Sequence, residues 1–351
     1  MKNIILITIF FSKYLLIFGQ TPINDPHWQL IWEDQFNSFD DTKWRKTNNC
    51  DHGGEPQLYV SQNVNTMFGM LLLTLKREDI NCTPNAPVNV WECGSCTPGI
   101  KKYTSGMVIS QVSEQVKYGY IEARIAIPYG VGYWPAFWTW VGTPDYEEID
   151  IFEMLGGIND ACEPGLYHNQ NVMTSNMHYC GGCIPGDFFC VGKYQTSHIN
   201  DYTQWHKYAI EWSPSKITWY VDDIPYRTEV NDNKFDFTNI IFNFALNNHN
   251  FSNEYNYGGL AYGQSATMLV DYVKYYKLAN NCSVTPPICA YNFSTHTNTV
   301  KNSIIFGNNS CSISVPSDHP YYFRASEQIL INGDFTVPIG SEIYMDVNPC
   351  Y

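Results

Sequence analysis

From Trp28 onward, apolar side chains recur at every second position in short runs separated by Gly, Pro, Asn and Asp, and this alternation restricts the chain to β-architecture. Residues 119–128 are the plainest case. Ile121, Ala123, Ile125 and Ile127 share one face of an extended strand, because successive strand side chains point to opposite sides. Residues 69–76, 216–221, 240–245 and 268–277 also read as strands. The 3.6-residue period of an amphipathic helix is nearly absent, so the expected fold class is all-β, with antiparallel sheets in a sandwich or barrel. Residues 196–203 and the stretch around 254–263 are expected to be loops over a strand-built face.

One segment keeps the strand character but breaks the hydrophobic rule. Glu147-Glu148-Ile149-Asp150-Ile151-Phe152-Glu153-Met154 holds four carboxylates among large apolar residues. Glu148 and Asp150 share one face, and Ile149 and Ile151 take the other. Glu153 then has the wrong parity. A single bulge at Ile151–Phe152, two residues in the place of one, returns Glu153 to the face of its partners. Three crowded carboxylates cannot all ionise alike, and their pKa values are driven apart. One can stay ionised as a nucleophile while another keeps a proton to donate. Retaining glycosidases use such a pair, about 5–5.5 Å apart. Glu147 falls with the isoleucines or at the start of the strand and is left out of the set.

The balance of 34 acidic against 20 basic residues gives a formal charge of −14, which argues against nucleic acid and for an uncharged partner. The 26 Tyr and 10 Trp suit sugar stacking and sheet packing equally. Lys2, an apolar run over residues 4–18 and Gly19-Gln20-Thr21 read as a signal peptide, residues 1–19, so a secreted or cell-surface protein is expected. After its removal no membrane span is expected, since no other apolar run is long enough. Twelve cysteines, an even number, fit disulfides in an oxidising compartment. Zinc at Cys93-x-x-Cys96 and Cys180-x-x-Cys183 is the alternative. Residues 27–278 read as the catalytic domain, 279–288 with Pro286-Pro287 as a linker, and 289–351 as a small Cys-containing β accessory module. A monomer is expected.

The motifs resemble glycoside hydrolase family 16, in its laminarinase-like branch with a bulged Glu-x-Asp-x-x-Glu strand. Beside Glu148–Glu153 stand, in order, residues 31–36 (IWEDQF), 54–59 (GEPQLY), 105–107 (SGM), 117–124 (KYGYIEAR), 134–138 (WPAFW), 177–179 (MHY), 205–208 (WHKY) with Glu211-Trp212, and 270–273 (VDYV). The resemblance implies a β-jelly-roll of two curved sheets with a substrate cleft, and a retaining double displacement. Glu148 would be the nucleophile, Glu153 the general acid/base and Asp150 the assisting residue between them. It implies Trp134 and Trp138 as sugar-stacking platforms and His178, Glu55, Gln57 and Asn243 as hydrogen-bond partners of sugar hydroxyls, while His206 and Trp212 support the sheet. No cofactor is required. A structural calcium is implied in relatives by an acidic residue where this chain has Gln35, together with an Asp like Asp271; with that carboxylate missing, no metal ligand is assigned and Asp271 is only a candidate. Gly54 and Pro56 depart from the usual pattern, and residues 81–99 and 161–192 are larger insertions that would wall the cleft. The implied substrate is a polysaccharide, foremost a β-1,3-glucan of the laminarin type. The alternatives are an agarose-, carrageenan- or porphyran-type galactan, transglycosylation, or a non-catalytic glycan-binding protein on the same scaffold.

Overall fold

Alternation along the strands sorts side chains between one shared interior and two outer faces. The structure, a computed structural model, describes residues 28–52, 54–83, 96–140, 147–154, 172–178, 195–199, 201–231, 235, 237–247, 256–278, 298–306, 312–317, 321–331, 334–341 and 343–347. Among them, a ten-stranded and a seven-stranded sheet pack across one core. Ile121, Ala123, Ile125 and Ile127 enter it from the larger sheet, and Ile149, Ile151, Phe152, Phe242 and Phe244 from the smaller. Each of the isoleucines and phenylalanines contributes roughly 1.5–3 kcal/mol on burial. Pairing in both sheets is antiparallel except for Gln57–Tyr59 with Gly99–Ser105. The all-β expectation holds.

The order of the seven-stranded sheet positions the site. It runs Gln195–His198, Val172–His178, Glu148–Glu153, Tyr133–Trp140, Asn239–Leu246, Met107–Ser110 and Trp44–Lys46. The acidic strand is thus central, with neighbours on both sides. On its outer face a second cluster, Met107, Ile109, Ala136, Trp138 and Ile241, is joined by Cys50 and Tyr59, which bridge to each other and pack against this face.

Three expectations are corrected. Residues 196–203 begin as a strand, since Gln195–His198 pairs with residues 172–175 at the edge of the sheet. Gln-Thr-Ser-His has no hydrophobic alternation, and ladder hydrogen bonds form regardless of side chain. Val172–His178 likewise shows that residues 161–192 are not all insertion. A zinc site using Cys96 is excluded, because Cys96 is bonded to Cys82. Cys50 is also disulfide-bonded. Cys93, Cys180, Cys183, residues 1–19 and residues 279–288 lie outside the described residues.

The C-terminal strands differ in kind. Asn298–Phe306, Tyr321–Ile331 and Ile343–Val347 form a parallel sheet, and Ser312–Ser314 pairs in parallel with Asp334–Thr336. The chain alternates between the two sheets, with Ile313 beside Phe335 and Tyr321 beside Ile343, a step of 22 residues each time. That is the geometry of a solenoid coil, where each turn stacks only on its neighbour. Phe306, Val315, Tyr321 and Phe323 fill its interior.

Candidate active site

The bulge required by parity is present. Asp150 and Phe152 pair with Trp138 and Phe137 on one side, and Asp150 and Glu153 with Asn176 and Thr174 on the other. One extra residue is therefore accommodated at Ile151–Phe152. Both side chains enter the core, and Glu153 returns to the face of Glu148 and Asp150.

Glu148 keeps 28% of its side chain exposed, whereas Asp150 is 2% and Glu153 9% exposed. His178, the cross-strand partner of Glu148, brings Nε2 to 3.3 Å from Asp150 Oδ2 and 3.8 Å from Glu148 Oε1. Asp150 Oδ2 has no well-aligned hydrogen bond of its own, so the imidazole is its polar neighbour. The Trp134 indole N–H donates to Glu153 Oε1 at 2.9 Å. Burial and then the Asp150 charge raise Glu148, while the His178 and His52 imidazoles pull it back toward the ionised form that a nucleophile needs. Burial, followed by the Asp150 charge, raises Glu153 well above the ordinary carboxylate range. Burial opposes charge on His178, but Glu148, Asp150 and Glu153 overcome it and raise the ring to about 10, so it is an imidazolium at neutral pH. The row titrates as a coupled group. Its most buried glutamate, Glu153, is the one placed to hold a proton, and water-accessible Glu148 the one placed to attack.

The remaining candidates separate into those near the acids and those that brace them. Trp134 and His178 touch the carboxylate row. Trp138 is 6% exposed, and its N–H donates to Asn243 Oδ1 at 2.8 Å. Asn243 in turn donates to the Tyr59 hydroxyl at 2.9 Å. Gln57 is 0% exposed, donates to Glu55 Oε2 and accepts from the Leu246 N–H. Gln57 as a direct sugar ligand is therefore corrected: its side chain is fully buried with both ends of the amide bonded to protein, and it ties Glu55 and Leu246 together. Asn243 is likewise engaged at both ends of its amide. Glu55, 8% exposed, also faces His52 Nδ1 at 3.8 Å.

Sequence reasoning missed His52 and Trp140. The His52 ring stands edge-on to Trp138 and Trp140, with centroids 5.6 and 6.0 Å away, and its backbone has φ of +37°. Trp140 pairs with Glu148 across the ladder. The period-two pattern of residues 134–140 could have shown Trp140 on the face of Trp138; nothing local signals His52.

Glu148, Asp150 and His178 bring polar atoms within 4.8 Å of one another, but an imidazolium has no lone pair to give a metal, so the group reads as a carboxylate row paired with a cation of its own. Calcium at Asp271 fits poorly. Its carboxylate accepts from Arg124 at 2.7 Å, and the Gln35 amide is turned to Glu33. A guanidinium on the ligand oxygen opposes a divalent ion.

The model of the glycosyl hydrolases family 16 matches residues 76–274, more than half of the chain. The chain belongs to that family. It is 27% identical over 281 residues to the clotting factor G alpha subunit of Tachypleus tridentatus, an overlap of 74% of this chain and 36% of that one. To the beta-glucanase of Rhodothermus marinus it is 28% identical over 224 residues, 57% of this chain and 65% of that one. The chain thus spans between about a third and two thirds of the length of these relatives. The endo-beta-1,3-glucanase of Pyrococcus furiosus superposes with a TM-score of 0.57 at 25% identity, over 72% of this chain and 96% of that one. The laminarinase catalytic domain of Thermotoga maritima gives 0.54 at 23%, over 71% and 98%. The two-sheet sandwich is the jelly roll of these enzymes.

Proposed function

We propose that the protein is a secreted, endo-acting retaining glycosidase that hydrolyses internal β-linkages of a polysaccharide, foremost a β-1,3-glucan. The observation that carries this reading is the bulge that lines up Glu148, Asp150 and Glu153 on one sheet face. The names of the Pyrococcus and Rhodothermus relatives support the glucan as substrate. The disulfides fit export.

In the first step Glu148 attacks the anomeric carbon while Glu153 gives its proton to the leaving oxygen, which releases one half of the polymer and leaves a glycosyl ester on Glu148. Glu153, now ionised, takes a proton from water, the hydroxide attacks the same carbon, and the ester bond breaks with the original anomeric configuration restored. Asp150, charged between them, favours the protonated state of Glu153 before the first step, and His178 holds that charge in place. No cofactor enters either step. Interception of the ester by a sugar hydroxyl would give transglycosylation instead.

The test is Glu148→Gln with laminarin, read by release of reducing ends. Activity is expected to fall roughly 10³-fold or more while the melting temperature is kept. Substantial residual hydrolysis of every glycan in a panel would sink the assignment, and cleavage of galactans alone would move the substrate.

A further inference from the structure

The catalytic bulge is an unfavourable register for a central strand. Ser175 lies between Asn176 and Thr174, which pair with Asp150 and Glu153, and has no partner on the acidic strand. Removing the extra residue would restore the ladder and turn Glu153 into the core. Something outside the sheet must therefore hold the register.

Two donors from the opposite sheet reach this point. The Trp219 indole N–H crosses the core and donates to the carbonyl of Asp150 at 2.9 Å. Arg227 donates to the Ser175 carbonyl at 2.7 Å and to its hydroxyl at 3.0 Å. Both are buried, Trp219 at 0% and Arg227 at 3% exposure, and they are cross-strand partners in one hairpin. The guanidinium lies 4.4 Å over the Trp219 ring, so each fixes the other. The hairpin turns through Asp222 and Asp223 with φ of +50° and +67°, the tight mirror-image turn suited to two-residue hairpins. A buried indole is not put to such use by default. Trp212, in the same core, has no hydrogen-bond partner for its N–H.

We propose that Trp219 and Arg227 are positioning residues that hold the catalytic strand in its bulged register, one at each side of the break, and so keep Glu153 facing the substrate. Neither touches sugar. They act through the Asp150 and Ser175 carbonyls, and the main-chain geometry they hold sets the reach between nucleophile and acid.

The inference rests on the glycosidase reading for its kinetic arm and on nothing but the fold for the other. Trp219→Phe keeps an aromatic ring in the core and removes the donor. On β-1,3-glucan its kcat is expected to fall about 10–100-fold with KM changed by no more than about threefold, since a small misplacement of a reacting group carries a penalty of that size. Amide exchange at Ile151–Glu153 is expected to quicken about tenfold or more, a local opening that a general loss of stability would spread across both sheets. Arg227→Lys, which retains a donor for Ser175, should recover part of the kcat lost in Arg227→Met. An unchanged kcat in folded Trp219→Phe, or equal losses in the two Arg227 variants, overturns the proposal. Should Trp219→Phe fail to fold, replacing the Trp219 indole by benzothiophene exchanges only N–H for sulfur and is read the same way. If the wild type cleaves no glycan, the glycosidase reading fails and the exchange rates alone decide this one.

Discussion

Among the buried carboxylates of the described residues, Glu122 and Glu211 form one group and Asp150 and Glu153 another, and only the second belongs to the proposed active site. Glu122 and Glu211, on the face of the ten-stranded sheet turned away from the main core, are 1% and 4% exposed, as deep as Asp150 and Glu153. They sit on a regular ladder in which Glu122 pairs with Ala209 and Glu211 with Tyr120. Lys207 lies 3.6 Å from Glu122 and also pairs with Asp223, and the Tyr220 hydroxyl donates to Glu211 at 3.1 Å. The acids at 148–153 face a titratable imidazole and an indole instead. Burial raises Glu122 as it raises Glu148 and Glu153, but Lys207 pulls Glu122 back. A permanent cation makes a buried acid structural. Three acids crowded around a single imidazole raise one another instead, and that leaves them reactive.

The largest expected separation between the two sets is kinetic. Glu153→Ala should lose roughly 10²–10⁴-fold in hydrolysis of β-1,3-glucan and recover much of it on an aryl glycoside whose leaving group needs no proton. Equal losses on both substrates would refute its role as acid. Lys207→Met should do the reverse. Removing the cation from a buried pair costs about 3 kcal/mol of stability, read by denaturant unfolding, while kcat of the folded enzyme stays the same. A fall in kcat without loss of stability would erase the distinction drawn here.

The smallest effect concerns how the two cations respond to pH. The folded protein holds the His178 proton more tightly than the unfolded chain, since the ring is raised from 6.5 to about 10. Its contribution to stability is therefore whole below about pH 6.5, shrinks as pH rises and is gone above about pH 10. Thermal unfolding of His178→Gln should accordingly lack the part of the decline that the wild type shows across that window. Identical slopes for the two proteins would show that the imidazole is not paired with the carboxylate row.

Much of the fold was legible because the period of two is a local property. Ile121, Ala123, Ile125 and Ile127 enter the core as their spacing requires. The bulge was legible by parity alone, since Glu153 could not otherwise share a face with Glu148. The edge strand Gln195–His198 was not, because backbone pairing carried it without an apolar pattern. The parallel coil of residues 298–347 was hidden for a related reason. Its repeat of 22 to 25 residues is made by stacking, and each turn needs only an apolar interior, not a recurring motif.

The amino-acid order by itself determined the alternating strands and the acidic row, which depend on near neighbours and side-chain parity, and the family, through motifs that recur in order along the chain. Only the tertiary structure decided that Gln57 and Asn243 serve as braces, that His178 lies against Asp150, and that Trp219 grips the Asp150 carbonyl from 69 residues away. A hydrogen bond is directional and short, so its partner is settled by where the sheets bring the backbone, and that placement is not written in any local pattern.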